Sequence, residues 1–457
     1  MLPRRWPRPR LPARVLALIV VAILVGCSPD AATPTPFSTP SGSPPQTLAP
    51  GSTDGGPTPV PTASAPTSAA CPPAQMIPAL PAEPTEGYDA IEEQVVAIRG
   101  LQPTSDIDPQ VLDAEGIREL TTASFRRDNP PELVAASDRL LKGLGLIDPD
   151  DSLEALYLEL LASQVAGLYD PDSKSMYVVS RSGELGPSEK TTFAHEFTHA
   201  LQDQTFELSS FDLAEVGEGD RGYARLSLIE GDATLLMTLW QLESLTQAEF
   251  ITLLGEAMDP EATRILNEMP PVLVQSLLFP YTGGMNFVQC LYADGGWAAV
   301  DAAYDDPPAS TEQILHPEKY ESREAPISVD LPDDLPARLG DGWSVGLEDT
   351  YGEFQIRLWL EYAGGGGGGP VEAAGSGWGG DRIAILEGPD DAFAIVLATE
   401  WDSPNDAREF VERAEIALTG VPHPAAIEGP AAGSAATVVI ATTDDLVDRV
   451  REALTAE

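Results

Sequence analysis

The pentapeptide His195-Glu196-Phe197-Thr198-His199 sets the tightest limit on local structure in this chain. Two imidazoles four residues apart can serve one point only if the backbone between them is α-helical, because residues i and i+4 stand one turn above each other on one face. The surroundings fit that demand. Phe193, Ala194, Phe197, Ala200 and Leu201 supply apolar positions at helical spacing, and Ser188 offers an N-cap upstream. Two of the four histidines in the chain fall in this pentapeptide. Imidazole and carboxylate donors suit a borderline Lewis acid such as zinc, and a site with three protein ligands keeps a fourth position for water.

Two histidines need a third ligand. Glu230 lies in the apolar run Ala224 to Ala233, where a carboxylate is costly to bury unless it binds something. Glu218, Asp220 and Asp232 are competing carboxylates on the same stretch. The metzincin arrangement would require glycine at 202 and histidine at 205, where this chain has Gln202 and Thr205.

The pattern resembles the gluzincin type of zinc metallopeptidase. In that type two histidines and the glutamate between them come from one helix, and a glutamate on a following helix completes the ligands. The resemblance therefore implies His195, His199 and Glu230 as metal ligands and Glu196 as general base. More narrowly, Gly167-Leu168-Tyr169-Asp170-Pro171, the run His195 to Gln204 and Glu230-Gly231-Asp232-Ala233 are similar to a family of bacterial lipoproteins with a predicted neutral metallopeptidase domain. The likeness extends through Ile314 to Tyr320 and Trp378 to Arg382, and so spans most residues after about 85. One departure stands out. The acid that follows the glutamate ligand by one turn in gluzincins is Thr234 here, which leaves histidine orientation to Asp232, Asp203 or a backbone carbonyl.

The chemistry expected of such a site is hydrolysis of a peptide bond by activated water, with Glu196 taking the water proton and returning it to the departing amine. A donor for the tetrahedral oxyanion is needed as well. The candidates are His316, Tyr320, Tyr223 and Arg382, with His316 first because it is one of two histidines outside the motif and lies beside lysine and tyrosine. The resemblance also implies that the short strand Ser175 to Ser180 is an edge strand that pairs with extended substrate. Asp170 and Asp172 lack the twelve-residue calcium-loop pattern and read as turn formers.

The N-terminus bears on the compartment. Arg4, Arg5, Arg8, Arg10 and Arg14 precede an apolar stretch, Val15 to Val25, which is long enough for a secretory signal and short for a membrane span. Leu24-Val25-Gly26-Cys27 then resembles the bacterial lipobox. This predicts a lipoprotein signal peptide over 1–26 and a mature chain acylated at Cys27, with more than one acyl chain as stable attachment requires. Residues 27–84 are rich in Pro, Thr, Ser and Gly, with no Lys or Arg before Arg99, and are expected to form a disordered stalk. Against 72 acidic residues there are only 26 basic ones, five of them in the leader; such a chain is an unsuitable partner for nucleic acid. Cys71 and Cys290 remain, as a bridge from stalk to body or as two separate thiols.

Beyond the stalk the predicted fold class is α+β. A mostly helical, zincin-like body with a short edge-strand element is expected over 85–340, and a small C-terminal α/β unit over 341–457. Helices are predicted over Tyr88 to Arg99, Pro131 to Leu144, Leu153 to Val165, from about Ser188, and over Tyr223 to Leu245. Leu168 to Lys174 reads as turn chemistry. The stretch from Leu253 to Leu315 reads as helical, with a glycine-rich break at Tyr281-Thr282-Gly283-Gly284. Strands at Arg382 to Leu386, Ala392 to Thr399 and Ala435 to Ala441 alternate with helices over Asn405 to Leu418 and Asp444 to Leu454; Gly364 to Gly369 is a flexible loop tip. The function expected is that of a membrane-tethered, extracytoplasmic zinc endopeptidase acting on protein or peptide substrates. The alternative is a catalytically inactive zinc-containing binding or assembly lipoprotein. Glu196 separates the two, because a closed structural zinc site has no use for an unligated carboxylate beside the metal.

Overall fold

The computed structural model describes residues 18–21, 83–180, 185–257, 260–363, 371–429 and 433–456. Cys27, Cys71, residues 28–82 of the expected stalk and the six-glycine run lie outside them. The class is α+β: two sheets and a majority of helix among the described residues.

The first sheet contains β1 (Leu18–Val21), β2 (Pro109–Leu112), β3 (Val165–Asp170) and β4 (Ser175–Val179), in the order β1-β3-β4-β2. β3 and β4 form an antiparallel hairpin, β1 adds antiparallel to β3, and β2 lies parallel to β4. Two expectations change here. β4 is flanked on both sides and is not an edge strand. The segment from Val165 to Asp170 is strand, not turn, and only Pro171 to Lys174 turns, with Lys174 at φ 53°. Val165 to Tyr169 are all buried, so β3 shows no alternation that would mark it as a strand.

The helices of the body are α1 (Tyr88–Arg99), α2 (Ala114–Asp128), α3 (Pro131–Gly143), α4 (Leu153–Gln164), α5 (Pro187–Phe206), α6 (Gly219–Ser244), α7 (Gln247–Ala257), α8 (Pro260–Glu268), α9 (Pro271–Gly295), α10 (Trp297–Asp305), α11 (Thr311–Leu315), α12 (Pro317–Glu321) and α13 (Leu335–Leu339). Their ends follow local chemistry. Gly100 closes α1 in the left-handed region at φ 84°, the Ser152 hydroxyl accepts the Ala155 amide at the start of α4, and Pro187 opens α5.

α9 runs without interruption through Gly283 and Gly284. Of the two glycines expected to break it, Gly283 lies beneath the Phe279 ring and Gly284 lies where the helix meets α6. A Cβ on Gly284 would stand 2.0 Å from the Ser227 carbonyl oxygen, and one on Gly231 would stand 2.2 Å from the Gly284 carbonyl carbon. The two backbones touch at a point that no side chain could share.

The remaining elements are β5 (Ser344–Asp349), α14 (Gly352–Tyr362), α15 (Val371–Gly375), β6 (Trp378–Glu387), β7 (Phe393–Trp401), α16 (Pro404–Leu418), β8 (Ala425–Glu428), β9 (Ala435–Ala441) and α17 (Asp444–Thr455). They form a sheet of order β5-β6-β7-β9-β8 in which every pairing is antiparallel. Ser403 and Thr443 cap the two long helices. One hydrophobic cluster takes in Leu140, Leu228, Phe279 and Phe287 together with Phe354, Ile383, Ile395 and Phe410, so the core continues across residue 340. Phe279 of α9 stacks on Phe354 of α14 at a centroid distance of 3.8 Å.

Candidate metal centre

α5 is buried along most of its length, from Lys190 to Asp203, because it lies between the first sheet, α1 and α6. This burial brings its polar residues into contact with chosen partners. His195 and His199 project from one face, with ring centroids 4.6 Å apart and planes nearly perpendicular. Across from them α6 presents Glu230, whose Oε2 is 3.2 Å from Nε2 of each histidine. All three side chains are buried, and one ligand atom from each lies within 4.8 Å of the others. This group could hold a metal ion.

Whether these residues fit an ion can be asked of their hydrogen bonds. His199 Nε2 is buried and close to Glu230 but out of hydrogen-bond alignment with any acceptor among the described residues. Both carboxyl oxygens of Glu196 are buried and no side chain among the described residues hydrogen-bonds them; the group that works against its raised pKa is the Tyr169 backbone amide in β3. Buried polar atoms left in this way are rare, and their convergence suits a cation. Protonation agrees. Burial holds the His195 pKa down to about 4, so its ring is neutral at pH 7. Burial works to raise the pKa of Glu230, but the two histidines beside it, His199 first, bring it to about 2. Neutral imidazole and ionised carboxylate are the ligand forms of these side chains. Glu196 is different: burial, and then the charge of Glu230, push its pKa well above the usual carboxylate range.

The strand β3 lies directly over Glu196. A Cβ at Gly167 would stand 2.8 Å from Glu196 Oε1 and 2.5 Å from Thr192 Cγ2, which is why glycine is needed at that position. Tyr281 of α9 closes another side, buried and with its ring centroid 6.1 Å from that of His195.

The other carboxylates on α6 have different partners. Glu218 pairs with Arg221, Asp220 accepts from the Thr311 backbone and hydroxyl, and Asp232 pairs with Arg99. Asp203 accepts the Tyr169 hydroxyl at 2.7 Å and the Lys174 ammonium at 2.5 Å, and does not orient a histidine. His199 Nδ1 instead faces Gln202 Oε1 at 2.8 Å. Asp170 accepts from the Asp172 amide and the Ser173 hydroxyl, as a turn former does.

The structure does not bring His316 or Tyr320 to this group. His316 Nε2 is 3.1 Å from Glu353 Oε1 and 3.2 Å from Arg357, in a network at the start of α14. That network adjoins Asp220, since a Cβ on Gly352 would overlap the Asp220 carboxylate. Asp220 precedes Glu230 by ten residues of helix, about 15 Å at 1.5 Å per residue. Tyr320 is buried, donates to the Asp306 carbonyl at 2.9 Å and packs edge-on against Phe287. Tyr223 donates to the Ser276 carbonyl, and Arg382 to the Gly217 carbonyl at 2.7 Å. Sequence reasoning missed Tyr281, Gln202, Arg99 and Tyr304. For Tyr281 and Tyr304 no sequence signal exists, whereas Gln202, three residues beyond His199, was within reach of helical spacing.

Fold and site together define an α+β protein with a buried two-histidine, one-glutamate group between two helices. Residues 343–453 match a family described as a domain of unknown function (DUF8575). No curated protein and no solved structure matches the chain.

Proposed function

We propose that this chain is a zinc-dependent endopeptidase, tethered by a lipid at Cys27 and working outside the cytoplasmic membrane. The observation that carries the reading is Glu196, a buried carboxyl group that no side chain among the described residues hydrogen-bonds, next to a converging His195, His199 and Glu230. A closed structural site leaves no such group beside it. His195, His199 and Glu230 would hold the ion, and when bound zinc supplies a Lewis acid that acidifies water and polarises a carbonyl oxygen. In its ionised form Glu196 accepts the proton of the attacking water and delivers it to the nitrogen of the leaving amine. Tyr281, whose ring lies against His195, takes the place of His316 as the candidate oxyanion donor.

The edge of β3 supports a peptide substrate. Leu18 to Val21 pair with it as an added antiparallel strand, register Leu18 to Tyr169 through Val21 to Val165, directly over Glu196. On this reading removal of the 1–26 leader opens that edge, and an extended peptide takes the same backbone hydrogen bonds. Cys290 is disulfide-bonded, and disulfides persist in oxidising compartments, which supports an extracytoplasmic site of action. No described helix is long and apolar enough to cross a membrane.

The test is metal content and hydrolysis in the full-length protein. One zinc per chain is expected, together with cleavage of an unstructured protein substrate. Glu196→Gln should keep the metal and lose activity by at least about 10²- to 10⁴-fold. A wild-type protein without metal, or a Glu196→Gln variant with normal turnover, overturns the proposal.

A further inference from the structure

Behind His199 lies a run of buried polar contacts that the reaction does not itself require. Gln202 Oε1 faces His199 Nδ1 at 2.8 Å, while Gln202 Nε2 donates to Asp232 Oδ2 at 2.9 Å and to the Ile229 carbonyl at 3.1 Å. Asp232 is gripped by Arg99 through two hydrogen bonds of 2.8 and 3.0 Å and accepts the Tyr304 hydroxyl at 2.8 Å. Arg99 reaches on to Asp301 and lies over the Trp297 ring, 4.6 Å from its centroid. Gln202, Asp232 and Arg99 are all at most 1% exposed.

Chemistry allows one polarity for this run. Arg99 is a donor only, so both Asp232 oxygens, which it holds, accept. The Gln202 group facing Asp232 and the Ile229 carbonyl meets two acceptors, so it must be the NH2, and the amide oxygen then faces His199. A carbonyl oxygen can only accept, so Nδ1 of His199 carries the proton. In the neutral ring the nitrogen left with its lone pair is then Nε2, the atom 3.2 Å from Glu230. The charge on Arg99 thus determines, three side chains away, which nitrogen of His199 has its lone pair turned toward the metal point.

We propose that Gln202 is a positioning residue of the metal centre, locking the tautomer and ring orientation of His199, and that the Arg99 and Asp232 pair sets its direction. The inference rests on the metal reading above. It also explains why an amide stands where a carboxylate commonly orients a ligating histidine. A carboxylate at 202 would place like charges at the 2.9 Å now spanned by a hydrogen bond to Asp232.

Three substitutions in the full-length protein test it. Gln202→Met keeps the shape and removes all three hydrogen bonds; Gln202→Glu keeps the acceptor toward His199 but opposes Asp232; Gln202→Glu with Asp232→Asn restores a donor to an acceptor and preserves the net charge. Zinc affinity by chelator competition should fall about 10- to 100-fold in each single variant and recover most of that loss in the double variant. The visible spectrum of the cobalt-loaded protein should change in Gln202→Met. Histidine-selective 15N spectra of the metal-free protein should show His199 protonated at Nδ1 in the wild type and not in Gln202→Met, a readout that needs no metal. Wild-type affinity and spectra in Gln202→Met, or a double variant no better than Gln202→Glu while both unfold at the wild-type temperature, overturns the positioning role. A wild-type protein that takes up no zinc yet shows the Nδ1 tautomer refutes the metal reading and leaves the relay standing.

Discussion

Gly284→Ala should loosen the protein and its metal site together, although alanine is the better helix former. The added methyl would stand 2.0 Å from the Ser227 carbonyl oxygen and 2.8 Å from its carbon. Ordinary contact begins near 3.4 Å, so α6 and α9 must part by roughly 1.4 Å, and the opposing atoms are helical backbone that no rotamer change can move. Overpacking of this kind costs about 1–3 kcal/mol, the upper end applying where backbone meets backbone. The propensity gain of Gly→Ala is about 1 kcal/mol, which leaves a net loss of about 2 kcal/mol. Gly255 in α7 provides the control, since a Cβ there meets nothing within 4 Å. Gly255→Ala should gain about 0.5–1 kcal/mol from propensity alone. Urea unfolding of the metal-free proteins, followed by tryptophan fluorescence, measures both. Glu230 adjoins Gly231 at the same contact, so Gly284→Ala should also weaken zinc binding, whereas Gly255→Ala should not. A Gly284→Ala protein as stable as Gly255→Ala would refute the close-packing argument and return the glycines to the role of a local break.

Tyr281→Phe should retain zinc and substrate KM but lose about 10²- to 10³-fold in kcat if the phenol donates to the oxyanion; unchanged kcat removes it from the reaction. His316→Ala should cost about 1–3 kcal/mol in unfolding free energy, because it strips a partner from fully buried Glu353, while kcat per folded molecule stays at the wild-type value. A selective fall in kcat would restore its catalytic role. The Lys319 ammonium sits among Glu312, Glu324 and Asp402, and burial, then the charge of Glu353, push the Glu312 pKa up to about 8. A folded pKa above the unfolded one near 4.5 means that this contribution is fully present below about pH 4.5 and is lost as pH rises through about 8, with a ceiling of about 5 kcal/mol. Glu312→Gln should therefore flatten the decline in stability between pH 5.5 and 8.5; equal slopes in variant and wild type would contradict the shift.

The parts legible in the sequence are those decided by neighbours along the chain. α1 stops at Gly100 because glycine accepts a left-handed φ, α4 starts at Ser152 because a hydroxyl can take an orphan amide, and the His195 to His199 spacing works only on a helix. What stayed hidden depends on distant residues. Gly283 and Gly284 look like a break until Phe279 is placed over the first and Ser227 and Gly231 against the second. β3 lacks alternation because it is covered on both faces, and Pro109–Leu112 is a short strand defined by its parallel partner β4. Glu230 was legible as an acid in an apolar run. The real surroundings of His316 were not, since Glu353 is 37 residues further on and Arg357 is 41.

The continuity of the core across residue 340 bears on what the matched family represents. Within 343–453, Phe393 and Ile395 of β7 lie against the end of α3, where a Cβ on Gly143 would stand 2.5 Å from Ile395, and Arg139 of that helix covers the Phe393 ring and pairs with Glu387. Phe354 of α14 spends its face on Phe279. A segment excised at these limits carries away only half of each such contact, leaving an apolar wall open to water. The unit that is inherited and the unit that folds therefore have different boundaries here. Any other protein that carries this segment without the helices α3 and α9 has to furnish a substitute surface, from its own chain or from a second one.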